Sequence, residues 1–337
     1  MKTNRDKPLM KVNSPLSDKD LSIIIQGKLY NGKTYSSIDV LNSVRAYFPH
    51  AEVILSTWVG DAIPKEIEAL VDQVVLSEDP GDTTPSQKPL NINRQLVSSL
   101  AGLRAATRRF AIKTRTDILF TSDNILSMMT TPTPKKRVYK VSKGMVLVSD
   151  ITTRTHLRPN ILQRKSHKSL TYMPFWVCDF LYAGLKEDLI NIFDIPLYPD
   201  SYMIEYKGSR PSGHQHDFKY TPETYLTFKF LAKNNSVPFK YSFDNNPKAT
   251  KFYEQSLVDN FLICSLQELG IDSAKYYLPL LPPRQRLLST RMRLIRYKKN
   301  NNTNIFKLLS YYLTYYKEYF IEYSRYKKTK KLFLIEK

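Results

Sequence analysis

The stretch NINRQLVSSLAGLRAATRRFAIKTRTD, residues 91–117, decides the fold of this chain. Its first half predicts an amphipathic helix, because apolar residues recur at the three- and four-residue spacing of one helix face (Leu96, Val97, Leu100, Leu103 and Ala106). A short buried strand follows at 110–112, and three charged residues then alternate along the chain: Lys113, Arg115 and Asp117. Such charges fit best at the carboxyl end of the strand, the edge at which open α/β sheets bind ligands. The simpler alternative is a solvated strand end with a local Arg–Asp pair.

Strands and helices alternate before this stretch as well. Strands are predicted at 21–25, 52–56 and 73–76, with a helix at 37–47 and a short helix at 67–71. Four strand–helix units in succession predict a mainly parallel central sheet with right-handed crossovers. Each strand ends in a polar or glycine-containing segment, so the four ends converge on one edge, which is typical of nucleotide-binding folds. The chain has neither the G-x-G-x-x-G fingerprint nor a G-x-x-x-x-G-K-[ST] loop.

The pattern after residue 117 is less regular. Two short β runs within 137–148 resemble a hairpin, and the polar, basic segment 152–170 is typical of a long loop over the sheet edge. Helices are predicted from Lys186, over Thr221–Leu231 and over Leu257–Leu269.

One acidic residue, Asp179, lies inside the aromatic and apolar run Met173–Phe193. A carboxylate in such surroundings must be paired, metal-bound or protonated, and groups of this kind cluster at functional sites. His214, His216 and Asp217 form a weaker candidate for a metal site, because loop histidines at this spacing are commonly solvated.

The charge of the chain is strongly positive and unevenly distributed. The net charge is +20, and the segment from Arg284 onward holds fifteen Lys and Arg against three Glu. Such an excess indicates a polyanionic neighbour, which can be nucleic acid, an anionic membrane or a phosphorylated substrate. Within this segment apolar and tyrosine side chains fall along one helical stripe (Ile305, Leu308, Leu309, Tyr312, Leu313, Tyr316, Tyr319, Phe320 and Tyr323). This pattern suits an interfacial helix on an anionic leaflet, and the alternative is a helix packed on the main domain.

Seven short motifs follow one another in an order that resembles the WavE-type lipopolysaccharide synthesis proteins. The resemblance covers residues 22–270 and rests on Gln26-Gly27, Thr57-Trp58, Asp79-Pro80-Gly81, Asn91-x-Asn93-Arg94-Gln95, Lys113-x-Arg115-x-Asp117, Cys178-Asp179-Phe180 and Pro222-Glu223-x-Tyr225. It implies a single Rossmann-like glycosyltransferase A-type domain that transfers a sugar from a nucleotide donor. It also implies that residues 115–117 stand where such enzymes carry a D-x-D metal motif, although here the first acidic residue is an arginine.

The residue types at the strand ends suit the parts of such a donor. Gln26 and Gly27 allow the backbone to approach the base or ribose. Trp58 can stack on a ring, although a lone tryptophan at a strand end is more often part of the core.

The leaving diphosphate needs positive charge where its own charge develops. A divalent cation, Mn²⁺ or Mg²⁺, held by Asp117 can supply it. Arg115, Arg94 and Lys113 can instead contact the phosphates directly, and Asn93 lies at a helix start, where backbone N–H groups favour an anion.

An inverting transferase also needs a base that takes the proton of the acceptor hydroxyl. Asp179 is the first candidate for this catalytic residue, Glu223 the second and Asp150 the third. A carboxylate in the first turn of a helix, such as Glu223, is also favoured by the helix dipole alone.

These observations predict three regions: a flexible segment at 1–19, a catalytic α/β domain at 20–285 and a basic, tyrosine-rich helical region at 286–337. The N-terminus has no apolar core typical of a signal peptide, and no apolar run reaches the roughly 18 residues of a membrane span. The expectation is a cytoplasmic glycosyltransferase, peripheral to the inner membrane through 286–337, that acts on a lipid-linked or oligosaccharide acceptor. Two alternatives stay open, a nucleic-acid- or polyanion-binding protein and a glycoside hydrolase.

Overall fold

The computed structural model describes residues 16–81, 90–130, 133, 137–151, 153, 174–203, 219–242, 244, 246–273 and five positions further on: 313, 316, 317, 320 and 324. The strands in these residues are β1 (Leu21–Gln26), β2 (Glu52–Trp58), β3 (Gln73–Ser77), β4 (Phe110–Arg115), β5 (Ile118–Phe120), β6 (Val146–Ser149), β7 (Tyr182–Leu185), β8 (Phe261–Cys264) and β9 (Ile271–Ser273). The helices are α1 (Ser37–Tyr47), α2 (Lys65–Glu68), α3 (Ile92–Ala105), α4 (Asn124–Met129), α5 (Lys186–Phe193), α6 (Pro222–Ala232), α7 (Pro247–Asn260) and α8 (Leu266–Leu269).

Seven of these strands form one sheet in the order β3-β2-β1-β4-β7-β6-β8. Strands β1 to β4 are parallel to their neighbours within this group, which confirms the predicted mainly parallel sheet. Alternate residues of β1 face opposite layers: Ile24 packs in the same cluster as α3 and α5, whereas Ile23 and Ile25 pack in the cluster that includes α1.

Strand β7 runs antiparallel between β4 and β6, and the sequence pattern did not predict it. Tyr182 is opposite Lys113 and Leu185 is opposite Phe110. Because β7 runs in the reverse direction, the residues just before it lie at the carboxyl end of β4. Asp179 therefore reaches the same sheet edge as the ends of β1 and β2.

Helix α3 lies unusually close to the sheet. A Cβ atom at Gly102 would be 2.6 Å from the Cγ2 of Ile24 and 3.0 Å from the Cβ of Ser56, so this position has room only for glycine. The hydroxyl of Ser56 donates a hydrogen bond to the carbonyl of Ser98 at 2.7 Å. These contacts fix the helix over β1 and β2.

The predicted hairpin within 137–148 is wrong, because only its second half, β6, is a strand. The backbone N–H of Tyr139 donates to Oδ2 of Asp259 at 2.9 Å, and that of Val141 donates to Oδ1 of Asn260 at 2.7 Å. Side chains at the end of α7 thus take the hydrogen bonds that a partner strand would have taken.

The predicted helix over Leu257–Leu269 is wrong in its boundaries. Helix α7 ends at Asn260, and the next four residues form β8, which pairs with β6. A new helix, α8, starts only after Ser265, whose hydroxyl accepts from the backbone N–H of Glu268 in a capping box. By contrast, α5 starts at Lys186 as predicted, and α6 starts at Pro222, one residue after the predicted start, with Thr221 as its N-cap.

The two ends of the chain are described only in part. Residues 1–15 lie outside the described residues, whereas Leu16 packs in the core and Asp18–Asp20 forms a 3₁₀ turn before β1. Of the predicted helical region 286–337, only the five positions named above are described, and they are helical. The segment 152–170, apart from Thr153, and the residues 214–217 also lie outside the described part. Among the residues described, no helix is both long and apolar enough to cross a membrane.

Candidate functional site

A cavity of about 900 Å³ opens at the carboxyl ends of β1, β2 and β4, and we call it the strand-tip cavity. Eight of the ten predicted site residues line it: Gln26, Gly27, Trp58, Arg94, Arg115, Asp117, Asp179 and Glu223. These residues come from six separate segments of the chain. Strand ends bring Gln26, Gly27, Trp58, Arg115 and Asp117 to this edge, whereas Arg94 and Glu223 reach it from the first turns of α3 and α6.

Arg115 and Asp117 form a bidentate ion pair on the wall of the strand-tip cavity. The Nε of Arg115 donates to Oδ1 of Asp117 at 2.8 Å, and Nη2 donates to Oδ2 at 2.6 Å. The guanidinium also lies 4.9 Å from the centre of the Phe180 ring. Burial by itself lowers the pKa of Arg115, but the charges of Asp117 and Asp179 outweigh it and raise that pKa. Arg115 is therefore a permanent cation at this edge.

A second bidentate pair joins Arg94, in the first turn of α3, to Asp79 after β3. The Nε and Nη2 atoms of Arg94 donate to the two carboxylate oxygens of Asp79 at 2.8 and 2.9 Å. Its Nη1 donates to the side-chain oxygen of Asn91 at 3.0 Å. The hydrogen bond from Arg94 lowers the pKa of Asp79, so both partners are charged at neutral pH.

Asp179 lies almost fully buried at the wall of the strand-tip cavity, with 8% of its surface exposed. The amide Nε2 of Gln95 donates to Oδ2 of Asp179 at 3.0 Å. The Nζ of Lys113 donates to the backbone carbonyl of Asp179 at 3.1 Å. This carboxylate therefore has a fixed position and still faces the cavity, as a proton acceptor requires. The second candidate, Glu223, lines the same cavity from the first turn of α6.

Two of the predicted donor-binding residues, Lys113 and Asn93, do not line the strand-tip cavity. Lys113 is fully buried, and its Nζ lies 5.3 Å from the centre of the Phe193 ring. Burial lowers its pKa to about 8, although the charge of Asp179 opposes this shift. The amide of Asn93 is bound to the backbone of Tyr198, donating at 3.2 Å and accepting at 2.7 Å.

The expected phosphate contact of these two residues is therefore replaced by a structural one. Lys113 and Arg115 lie on the same face of β4. At Lys113, two residues before Arg115, that face is covered by α5. The third candidate base, Asp150, is also buried and is not among the residues that line the strand-tip cavity.

The backbone at the strand ends has the geometry that the glycines predict. Gly27 and Gly60 have φ values of 106° and 88°, a region that other residues rarely adopt. Trp58 is mostly buried, with 7% exposure, yet forms part of the cavity wall. It is thus both a core residue and a candidate for stacking on a ring.

Several cavity residues were not identified from the sequence as site residues. They include Lys28, Tyr30, Asp61 and Gln95. Gln95 belongs to the motif Asn91-x-Asn93-Arg94-Gln95 and follows Arg94 directly. Its position in the first turn of the predicted helix could therefore have identified it as a site residue. Asp61 follows the glycine turn after β2, and no local pattern distinguishes it from a solvated loop aspartate.

The carboxylate of Asp117, the predicted metal ligand, is engaged by Arg115. Both carboxylate oxygens of Asp117 accept hydrogen bonds from Arg115, so an ion could bind both only by displacing that arginine. No three His, Cys, Asp or Glu side chains in the described ranges are grouped so that they could hold a metal ion.

Comparison with known proteins supports the motif-based resemblance. No curated protein matches the chain. Among solved structures, it is similar to S. aureus TarS, with 11% identity and a TM-score of 0.36, over 87% of this chain and 42% of the TarS chain. The chain thus spans less than half of that structure, and this degree of similarity does not establish a shared activity. The family described as WavE lipopolysaccharide synthesis matches residues 21–334. Because this match covers nearly the whole chain and confirms the resemblance, the protein belongs to the WavE lipopolysaccharide synthesis family.

Proposed function

We propose that this protein is a glycosyltransferase that uses a nucleotide-sugar donor to extend a cell-surface glycan, such as lipopolysaccharide core, O-antigen or capsule. The observation that carries the proposal is the convergence of Arg94, Arg115 and Asp179 on one cavity at the strand ends. Membership of a lipopolysaccharide synthesis family supports the substrate class.

The donor occupies the strand-tip cavity in this proposal with its diphosphate between the two arginines. Arg94 and Arg115, whose forks are held by Asp79 and Asp117, bring two guanidinium charges to the cavity, and guanidinium groups match phosphate oxygens in geometry and charge. The backbone at Gly27 allows a close approach of the base or ribose, and Trp58 offers a ring face beside it.

Asp179 acts as the base that accepts the proton of the acceptor hydroxyl. It meets two requirements of that role, since it faces the cavity and its carboxylate is oriented by Gln95. As the acceptor oxygen bonds to the sugar carbon, the bond to the donor phosphate breaks and its electron pair stays with the leaving diphosphate. Arg94 and Arg115 stabilise the charge that develops there.

Binding of nucleotide sugars tests this proposal directly. We expect one member of a panel of UDP-, GDP- and dTDP-linked sugars to stabilise the protein by about 2.7 kcal/mol at 100 times its Kd. The stabilisation should be lost in Arg94→Ala, because the diphosphate then lacks one of its two guanidinium partners. Arg104→Ala is the matched control: this arginine lies on the same helix, is exposed and pairs with Asp194 at 3.3 Å, away from the cavity.

A thermal-shift series on the three proteins measures this effect. If no donor shifts the melting temperature while RNA or another polyanion does, the glycosyltransferase proposal is wrong and the binding-protein alternative takes its place.

We further propose that residues 286–337 attach the enzyme to the cytoplasmic face of the inner membrane. The support is the concentration of charge: residues 291–337 contain thirteen Lys and Arg and three Glu. Basic side chains near an anionic leaflet contribute about 1 kcal/mol each. A lipid-linked acceptor would be presented at the same surface.

Removal of residues 291–337 should therefore weaken binding to phosphatidylglycerol vesicles more than tenfold, as measured by co-sedimentation. A full-length variant with glutamine at five basic positions serves as the matched test (Arg325, Lys327, Lys328, Lys330 and Lys331). Neutral phosphatidylcholine vesicles are the control for apolar adsorption. Unchanged binding of the shortened chain to the anionic vesicles would contradict the proposal.

A further inference from the structure

The strand-tip cavity contains more negative than positive side chains. Its wall includes three cations and five carboxylates: Lys28, Arg94 and Arg115 against Asp61, Asp79, Asp117, Asp179 and Glu223. A nucleotide diphosphate adds further negative charge to this space. Some group must therefore supply positive charge at the diphosphate.

Arg115 is the cation best placed for this purpose. Its fork with Asp117 engages two N–H groups, which leaves three of its five donors outside the fork. No described residue accepts a hydrogen bond from these three donors. Phe180 covers part of the guanidinium, at 4.9 Å from the ring centre, so the charge is partly desolvated and acts more strongly on a neighbour.

Asp117 is fixed from both sides. Its carboxylate is held by the Arg115 fork, and its backbone carbonyl accepts from the hydroxyl of Tyr35 at 2.9 Å. The adjacent Thr116 donates its hydroxyl to the carbonyl of Lys28 at 2.8 Å. These hydrogen bonds hold Thr116 and Asp117 in place, so Asp117 can fix the orientation of the Arg115 guanidinium.

We infer that Arg115 replaces a divalent cation at the leaving diphosphate and that Asp117 is a positioning residue for Arg115 rather than a metal ligand. The inference rests on the proposed function, because it assigns roles for the same donor. The three N–H groups of Arg115 outside the fork contact the oxygens of the leaving diphosphate. The hydrogen bonds to Asp117 keep the plane of the guanidinium fixed. The reaction then needs no metal ion.

Asp117→Asn distinguishes a positioning residue from a metal ligand, because the two roles predict opposite changes in nucleotide affinity. If Asp117 positions Arg115, its neutralisation removes a competing negative charge, and we expect UDP or GDP to bind about tenfold more tightly in EDTA. In the same variant kcat should fall about 10- to 100-fold, since Arg115 loses its fixed orientation. If Asp117 holds a metal, wild-type binding fails in EDTA and the variant loses the metal-dependent affinity.

Asp72→Asn is the matched control, because Asp72 pairs with Arg45 at 3.0 Å outside the strand-tip cavity. Isothermal titration with UDP, GDP and dTDP, with Mg²⁺ or with EDTA, gives the Kd values, and Arg115→Ala should lose most of the binding in both media. Wild-type binding that requires Mg²⁺ overturns this inference and leaves the proposed function standing. Failure of UDP, GDP and dTDP alike to bind under any condition overturns both this inference and the proposed function.

Discussion

Asp179→Asn is expected to lower kcat for sugar transfer by a factor of about 10²–10⁴, the usual contribution of a general base. Asparagine has nearly the same shape and still accepts the hydrogen bond from Gln95. The donor should bind at least as tightly as to the wild type, because the substitution also removes a negative charge near Arg115. The fall in kcat therefore reports the lost ability to take the acceptor proton. Steady-state kinetics with the donor identified by the binding panel, together with the Kd of that donor, measures both quantities.

The competing candidate for the base is Glu223, which lines the same cavity. Glu223→Gln should reduce kcat much less than Asp179→Asn, because its position in the first turn of α6 is also explained by the helix dipole. If the glutamine variant loses activity by 10²-fold or more and the asparagine variant does not, the base is Glu223 and our assignment is wrong. A large loss in both would indicate that the two carboxylates act together.

Lys113→Met is expected to remove a pH dependence of stability. Burial lowers the pKa of Lys113 from 10.5 to about 8, so between these pH values the unfolded chain binds more protons than the native one. The free energy of unfolding of the wild type should therefore rise with pH across this window, relative to the variant, by about 3 kcal/mol in total. Methionine has no proton to lose and fills a similar space.

Urea unfolding of both proteins at several pH values from 7.5 to 10.5 provides the measurement. Taking the difference between wild type and variant cancels the titration of the many other lysines and of Tyr182, whose pKa is also raised by burial. If the free energies of unfolding of the two proteins changed in parallel with pH, the buried lysine would keep its ordinary pKa. That result would contradict the environment described for it beside Phe193 and Asp179.

Local patterns predicted the half of the sheet in which strand and helix alternate. The strands β1 to β4 are short apolar runs that end in polar residues, and these runs are visible without knowledge of the fold. Strand β7 was missed because its four residues follow other apolar residues without a break. Strand β8 was taken for helix because an amphipathic helix ends directly before it.

The candidate site was predictable to the extent that it depends on strand ends. Arg115 and Asp117 line the cavity. Lys113 lies two residues before Arg115 on the same face of β4, and there it is fully buried beside Phe193 of α5. Sequence spacing gives the face of a strand but not how far the neighbouring helix covers it. The bidentate Arg115–Asp117 pair was the simpler alternative for this stretch, and the structure shows that it is formed within the cavity wall.

For the proposed glycosyltransferase, helix α3 has a consequence for how donor affinity and catalytic rate would vary within the family. Its first turn carries Arg94, which contacts Asp79, and Gln95, which contacts Asp179. The same helix is held against β1 by the close approach at Gly102. A substitution that lifts the helix would move both contacts together, so KM and kcat are expected to change in concert. Adaptation to a new donor would therefore proceed more easily through the loops after β1 and β2 than through this helix.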